Sequence, residues 1–257
     1  MPSFYHKKSL GQNFLHNRKL LERISKIKKL CNENVIEIGP GSGSLTEFIL
    51  RENPKNLTVI EKDEDLKPNL NKLKKRYPKN FNLIFDDALT FDLSTLTKKK
   101  IILIGNLPYN IATTLIIDWV KNYKIFKALV VMVQKEVAQR LYAKAGTKFY
   151  SRTSVLVQAN ASVEEKFEVS ANNFFPQPKI NSSVIEITPR KKNFNYENLD
   201  KILKKSFLHR RKILKNNLKN LSIEIKKKIK EKGINLSSRP QDLSPDDYIK
   251  LSKILFC

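Results

Sequence analysis

From residue 34 to residue 145 the sequence alternates short apolar, β-rich runs with stretches of helical spacing, and no other feature narrows the fold as far. NVIEIG (34–39), LTVIEKD (57–63), FNLIFDDA (81–88), IILIGNL (101–107) and ALVVMVQ (128–134) read as buried strands. Residues 43–51, 64–76, 111–122 and 135–145 carry helical periodicity. Strands joined through helices pair in parallel, because a parallel neighbour needs a long crossover. The expected class is α/β, a parallel sheet with helices on both faces. VEEKFEV (163–169) and SSVIEITP (182–189) flank a Pro-rich loop and are expected to close the sheet as an antiparallel pair.

After Pro189 the pattern changes. Residues 196–221, 222–233 and 244–255 all read as helical. Ser244, Pro245, Asp246 and Asp247 form a helix start, with an N-cap, a proline at the first position and acids in the first turn. Residues 190–257 hold 19 Lys+Arg against 7 Asp+Glu, a net +12. That is half of the +24 of the whole chain in about a quarter of its length. The expected organisation is an α/β domain over 1–189 and a small all-α domain over 190–257.

An excess of 49 Lys+Arg over 25 Asp+Glu favours a polyanionic partner, nucleic acid or an anionic membrane surface. No apolar run reaches the length of a membrane span, and no apolar stretch follows Lys7 and Lys8 as in a secretory leader. The two cysteines, Cys31 and Cys257, have no paired spacing, and His6, His16 and His209 are scattered. The expectation is a soluble cytoplasmic protein that uses no metal.

Four successive strand ends carry the chemistry. The first runs into EIGPGSGSLT (37–46), where Gly39, Gly41 and Gly43 allow a sharp turn and close approach of a ligand to the backbone. The spacing is not the G-x-G-x-x-G of dinucleotide binders. Glu61 ends the second strand, 22 residues after Gly39, where an acid that holds ribose hydroxyls belongs. Asp86-Asp87-Ala88 ends the third and suits an adenine amine. Each acid alone is compatible with a solvated strand end; together with the glycine loop they describe a nucleoside pocket.

The fourth strand ends at Asn106-Leu107-Pro108-Tyr109. An exocyclic adenine amine is a poor nucleophile because its lone pair is delocalised into the ring. The Asn106 side-chain oxygen and the Leu107 carbonyl, kept free by Pro108, offer two acceptors for its two hydrogens. The Tyr109 ring offers a stacking platform for an extruded base.

With these residues in view, the chain resembles the ribosomal RNA adenine dimethyltransferases, the family of the small-subunit 16S rRNA enzyme. The likeness spans nearly the whole sequence: KKSLGQNFL (7–15), EIGPGSGSLT, VIEKDEDL (59–66), DDAL (86–89), GNLPYNI (105–111), VQKEVAQRL (133–141), FFPQPKINSSV (174–184) and RPQDLSPDDY (239–248). The resemblance implies a Rossmann-like class I methyltransferase fold. It also implies S-adenosylmethionine as methyl donor, and two adjacent adenines near the 3′ end of 16S rRNA in the small ribosomal subunit as substrate. It assigns cofactor contacts to Asn13, Leu15, Gly39, Gly41, Glu61, Asp87, Ala88 and Asn106. The catalytic set it implies is Asn106, Leu107, Pro108 and Tyr109, with Phe174 as a second aromatic face. Residues 1–30 become a basic lid segment, with Lys7 and Lys8 on phosphate, and Arg210, Arg211 and Lys215 lie on a helix that can meet RNA. The expected state is a monomer without membrane contact. One departure is visible: where the family pattern P-K-V-D-S is expected, the chain has Pro178-Lys179-Ile180-Asn181-Ser182.

The nearest alternatives are a 23S rRNA adenine methylase of the macrolide-resistance type and a non-catalytic ribosome assembly factor on the same fold. The tail RPQDLSPDDY favours the small-subunit enzyme over the first, and intact Asn106–Tyr109, Glu61 and Asp87 speak against the second. If the charge serves RNA, affinity for a single-stranded rRNA fragment should fall linearly with the logarithm of salt concentration, by about 0.7 log units per phosphate neutralised. A salt series in a filter-binding assay measures the slope, and a flat response would separate the charge from function.

Overall fold

The computed structural model describes Lys7 and residues 11–256. The elements in order are β1 (Phe14–Leu15), α1 (Arg18–Ser25), β2 (Asn34–Ile38), α2 (Ser44–Arg51), β3 (Asn56–Glu61), α3 (Lys67–Arg76), β4 (Phe81–Phe85), β5 (Ile101–Asn106), α4 (Ala112–Lys121) and β6 (Phe126–Gln134). They continue with α5 (Lys135–Tyr142), α6 (Arg152–Gln158), β7 (Ala161–Val169), β8 (Phe174–Phe175), β9 (Ser182–Pro189), α7 (Tyr196–Ser206), α8 (Leu214–Asn217), α9 (Ile223–Glu231) and α10 (Pro245–Phe256).

Seven strands form one sheet in the order β4-β3-β2-β5-β6-β9-β7, flanked by helices on both faces. β2 pairs in parallel with β3 and β5, and β5 with β6, while β9 runs antiparallel to β6. The α/β class expected from the alternating pattern is thus the one observed. β2, β3 and β4 progress toward one edge and β5 and β6 toward the other. The direction reverses between β2 and β5, and a crevice opens there at the carboxyl ends of the strands. Gly105 makes the close pairing of β5 with β2 possible: a Cβ at this position would lie 2.8 Å from the Ile38 carbonyl oxygen.

Contacts divide the chain into two compact units, Met1–Ala138 with Glu164–Pro189 and Gln139–Val163 with Arg190–Cys257. That division differs from the single cut expected at residue 190. The reason lies in α6, which packs on α7 and α10. The Tyr150 hydroxyl donates to the Leu243 carbonyl at 2.8 Å, and Arg152 pairs with Asp200. Segment 139–163 therefore shares the core of the second unit, where Tyr248 donates to the Pro240 carbonyl and its ring packs at a tilt against Phe207.

One helix was not anticipated and one local expectation is corrected. The unanticipated helix is α1: the Asn17 side chain caps it by accepting from the Lys19 and Leu20 amides, and Leu21 and Ile24 are buried. The signal was present as Asn before an apolar i, i+3 pair. Residues 196–221 are not one helix. α7 ends at Ser206, and Arg210 and Arg211 lie in the turn before α8. The Leu214 and Lys215 amides donate to the Ser238 and Leu236 carbonyls, so they are unavailable for continuing a helix. Ser244 and Asp247 do form the expected start of α10, with the Asp247 amide on Ser244 Oγ and the Ser244 amide on the Asp247 carboxylate. Among the described residues no helix is long and apolar enough to cross a membrane.

The departure at Asn181 has a structural account. Its Oδ1 accepts from the Ala171 amide at 3.1 Å, and its Nδ2 donates to Glu168 Oε1 at 2.7 Å. A carboxylate here would lose the donor and face Glu168. Asn181→Asp should therefore destabilise the protein by about 1 kcal/mol, and Glu168→Gln in the same chain should recover most of it. Urea unfolding of the three variants measures this.

Candidate active site

The crevice at the reversal point is walled by residues 11–15, the glycine loop after β2, and the ends of β3, β4 and β5. Asn13, Leu15, Gly39, Gly41, Glu61, Asp87, Ala88, Asn106, Leu107, Pro108 and Tyr109 all belong to this wall, so the structure brings most of the expected site residues together. Gly41 has φ +58°, and a Cβ on it would meet the Phe14 ring at 2.8 Å. The loop thus needs glycine both for its left-handed backbone and to lie under Phe14.

Glu61 is 7% exposed. Its Oε1 accepts from the Lys62 and Asp63 amides, both at 2.9 Å, and its Oε2 accepts from the Gly41 amide at 3.1 Å. A carboxylate offers about four acceptor sites. Three are used, leaving one on Oε2 for a ligand hydroxyl. Burial raises the Glu61 carboxyl above its ordinary range, and these three amides oppose the rise. On the next strand end, Asp87 accepts from Lys62 Nζ at 2.7 Å and from the Leu89 amide at 2.9 Å. The Lys62 ammonium, aided by that amide, holds Asp87 below the usual carboxylate range.

At the end of β5 the Asn106 Nδ2 donates to the Asn13 carbonyl at 2.8 Å. That bond fixes which end of the amide is which, and Oδ1 is left as the acceptor. The Leu107 amide donates to Met132, whereas its carbonyl accepts no hydrogen bond among the described residues. Pro108 contributes its own carbonyl to the Ile111 and Ala112 amides, anchoring the start of α4. The half-buried Tyr109 is fixed by a 2.6 Å hydrogen bond between its hydroxyl and Ser182 Oγ.

Other expected contacts are placed differently. Phe174 is 3% exposed and lies in the apolar core, paired across the ribbon with Leu15; its neighbour Phe175, opposite Phe14, is 65% exposed. Side chains alternate along a strand, so only one of two adjacent phenylalanines can face outward. Lys7 pairs with Asp63 at 2.5 Å and Asp65 at 2.6 Å, which engages its ammonium within the protein. Arg210 donates to Gln241 Oε1 and to the Lys148 carbonyl, acting as a brace within its unit. Arg211 is exposed. Lys8 lies outside the described residues. Lys135 pairs with Glu168 at 2.6 Å. Among the described residues no group of His, Cys, Asp and Glu could hold a metal ion.

Sequence reasoning passed over Glu37. It is fully buried on β2, lines the crevice, and its Oε2 has no hydrogen-bond partner. Its signal was an acid inside an otherwise apolar strand.

A Rossmann-like sheet with a glycine loop, two acidic strand ends and an Asn-Leu-Pro-Tyr strand end at one crevice defines a methyltransferase. The family model for ribosomal RNA adenine dimethylase matches residues 3–256, and the chain belongs to that family. It is 42% identical over 254 residues to ribosomal RNA small subunit methyltransferase A of Pelagibacter ubique, covering 96% of this chain and 95% of the relative. A protein of the same name from a Wolbachia of Drosophila simulans is 38% identical, with 98% and 95% covered. Among solved structures, a dimethyladenosine transferase from Plasmodium falciparum superposes with a TM-score of 0.82 at 24% identity, covering 92% of this chain and 95% of that one. The 23S rRNA methyltransferase ErmE gives 0.73 at 22%, with 94% and 99% covered, and both likenesses concern the fold.

Burial pushes the Glu37 carboxyl from 4.5 up to about 8, with the Glu61 carboxylate adding to the rise. The folded chain holds this proton to higher pH than the unfolded chain does. The contribution of Glu37 to stability is therefore complete below 4.5 and is lost as pH rises through about 8. Ligand-free protein should lose on the order of a few kcal/mol between about pH 5 and pH 9 from this group, and Glu37→Gln should flatten that loss. Chemical unfolding across the pH range reads it directly.

Proposed function

We propose that this methyltransferase uses S-adenosylmethionine to dimethylate the exocyclic nitrogen of two adjacent adenines near the 3′ end of 16S rRNA in the small ribosomal subunit. Support for the substrate comes from the names of the full-length relatives. The observation that carries the chemistry is the orientation of Asn106, whose Nδ2 is committed to the Asn13 carbonyl.

The crevice fits the donor. One acceptor site on Glu61 Oε2 remains for a ribose hydroxyl, Asp87 has capacity for an adenine amine, and the orphaned Glu37 Oε2 calls for a ligand donor such as an ammonium. Asn13, Leu15, Gly39, Gly41 and Ala88 complete the walls. When bound, the cofactor supplies an electrophilic methyl group. The remaining work falls to this chain. Asn106 Oδ1 and the Leu107 carbonyl accept the two hydrogens of the target amine and turn its lone pair away from conjugation with the ring. Tyr109, steadied by Ser182, stacks on the extruded base. Phe174 serves this face from behind, as core under β1. The exposed Arg211, with other cations of residues 190–257, contacts the RNA backbone.

After one transfer the amine keeps a single hydrogen, so half of the acceptor grip is gone and stacking must hold the base. Asn106→Ala should lower single-turnover methyl transfer on the order of 10²-fold with cofactor binding retained. Tyr109→Ala removes stacking typically worth about 1–3 kcal/mol and should accumulate monomethyladenosine; Tyr109→Phe keeps the ring and should dimethylate. Mass spectrometry of the product nucleosides tests this. Equal product ratios for the Ala and Phe variants would make Tyr109 a packing residue.

A further inference from the structure

We propose that Asp63 is a positioning residue for methyl transfer: it latches the amino-terminal segment so that the Asn13 carbonyl holds the Asn106 amide with its oxygen toward the target amine. The inference rests on the role of Asn106 given above. Asp63 follows β3 two residues after Glu61 and is 3% exposed. Its Oδ1 accepts from Lys7 Nζ at 2.5 Å and its Oδ2 from Gln12 Nε2 at 2.7 Å. The Lys7 amide donates to Gln12 Oε1 at 2.9 Å, closing a ring of three residues. A local turn cap explains only the 3.2 Å contact from the Asp65 amide. The two stronger contacts come from a segment more than fifty positions away.

The far end of that segment is also fixed. β1 pairs with β8, and the His16 amide donates to the Asn173 carbonyl at 3.1 Å. Asn13 lies between the two attachments, and its carbonyl is the partner that orients Asn106. The two ends of a carboxamide are nearly the same shape, so a partner alone decides which faces the crevice. With Asp63 removed, the amino end of the strap keeps only the solvent-exposed Lys7–Asp65 pair, which is screened by water, and Asn13 moves away from Asn106. The freed amide then samples the flipped orientation, which sets its NH₂ against the donor hydrogens of the target amine.

The test uses the full chain labelled with ¹⁵N, the Asn106 side-chain signals being identified by their loss in Asn106→Asp. In Asp63→Ala the exchange of those amide hydrogens should accelerate about tenfold. Single-turnover methyl transfer at saturating cofactor and RNA should fall about tenfold, with RNA affinity unchanged. Gln12→Ala and Lys7→Met leave the Asp65 cap in place and should each reproduce the exchange effect in smaller degree; they also carry the test if Asp63→Ala fails to fold. Wild-type exchange at Asn106 in all three variants would overturn the proposal and leave Asp63 a turn cap. Because exchange is read without substrate, failure of the proposed reaction on rRNA would not be confused with failure of the latch.

Discussion

The Glu61 carboxylate holds together the two strand ends on which the crevice is built. It takes one amide from the glycine loop after β2 and two from the turn after β3, so neither backbone can move independently of the other. Removing a carboxylate from water is costly, and it is tolerated where charge-assisted hydrogen bonds replace the lost hydration. The same turn then carries Asp63 to the amino-terminal segment. Position in this site is therefore passed from β2 to β3 to Lys7 and Gln12, and from Asn13 to the end of β5.

The sheet was legible because buried parallel strands have to be continuous apolar runs, and IILIGN and ALVVMVQ have no other plausible use. Helix α1 was less legible, since its flanking lysines resemble a frayed start until Asn17 is recognised as a cap. The crevice residues at strand ends could be read from spacing alone, because strand order fixes where each end lies. Which of Phe174 and Phe175 faces the core depended on the register of β1 with β8, and local pattern does not contain that register. The role of segment 139–163 was hidden for a similar reason: its partners Asp200 and Leu243 lie far along the chain.

Charge was legible in amount and less so in use. Lys7 and Arg210, each a candidate for RNA contact, are engaged with Asp63 and Gln241. A count of cations gives the long-range field that draws a polyanion in, whereas the number of phosphate contacts depends on which cations are not already engaged within the protein.

Much of the site is made from main-chain atoms: the Asn13 and Leu107 carbonyls, and the Gly41, Lys62 and Asp63 amides. Such atoms are the same whatever side chain stands beside them. The Asn13 and Leu107 carbonyls therefore keep their places under any substitution that leaves the backbone path unchanged. Substitutions that bend the backbone, above all at Gly41 and Pro108, are the ones the crevice registers. Two chains of this architecture can share a reaction while agreeing in few of the letters that line it.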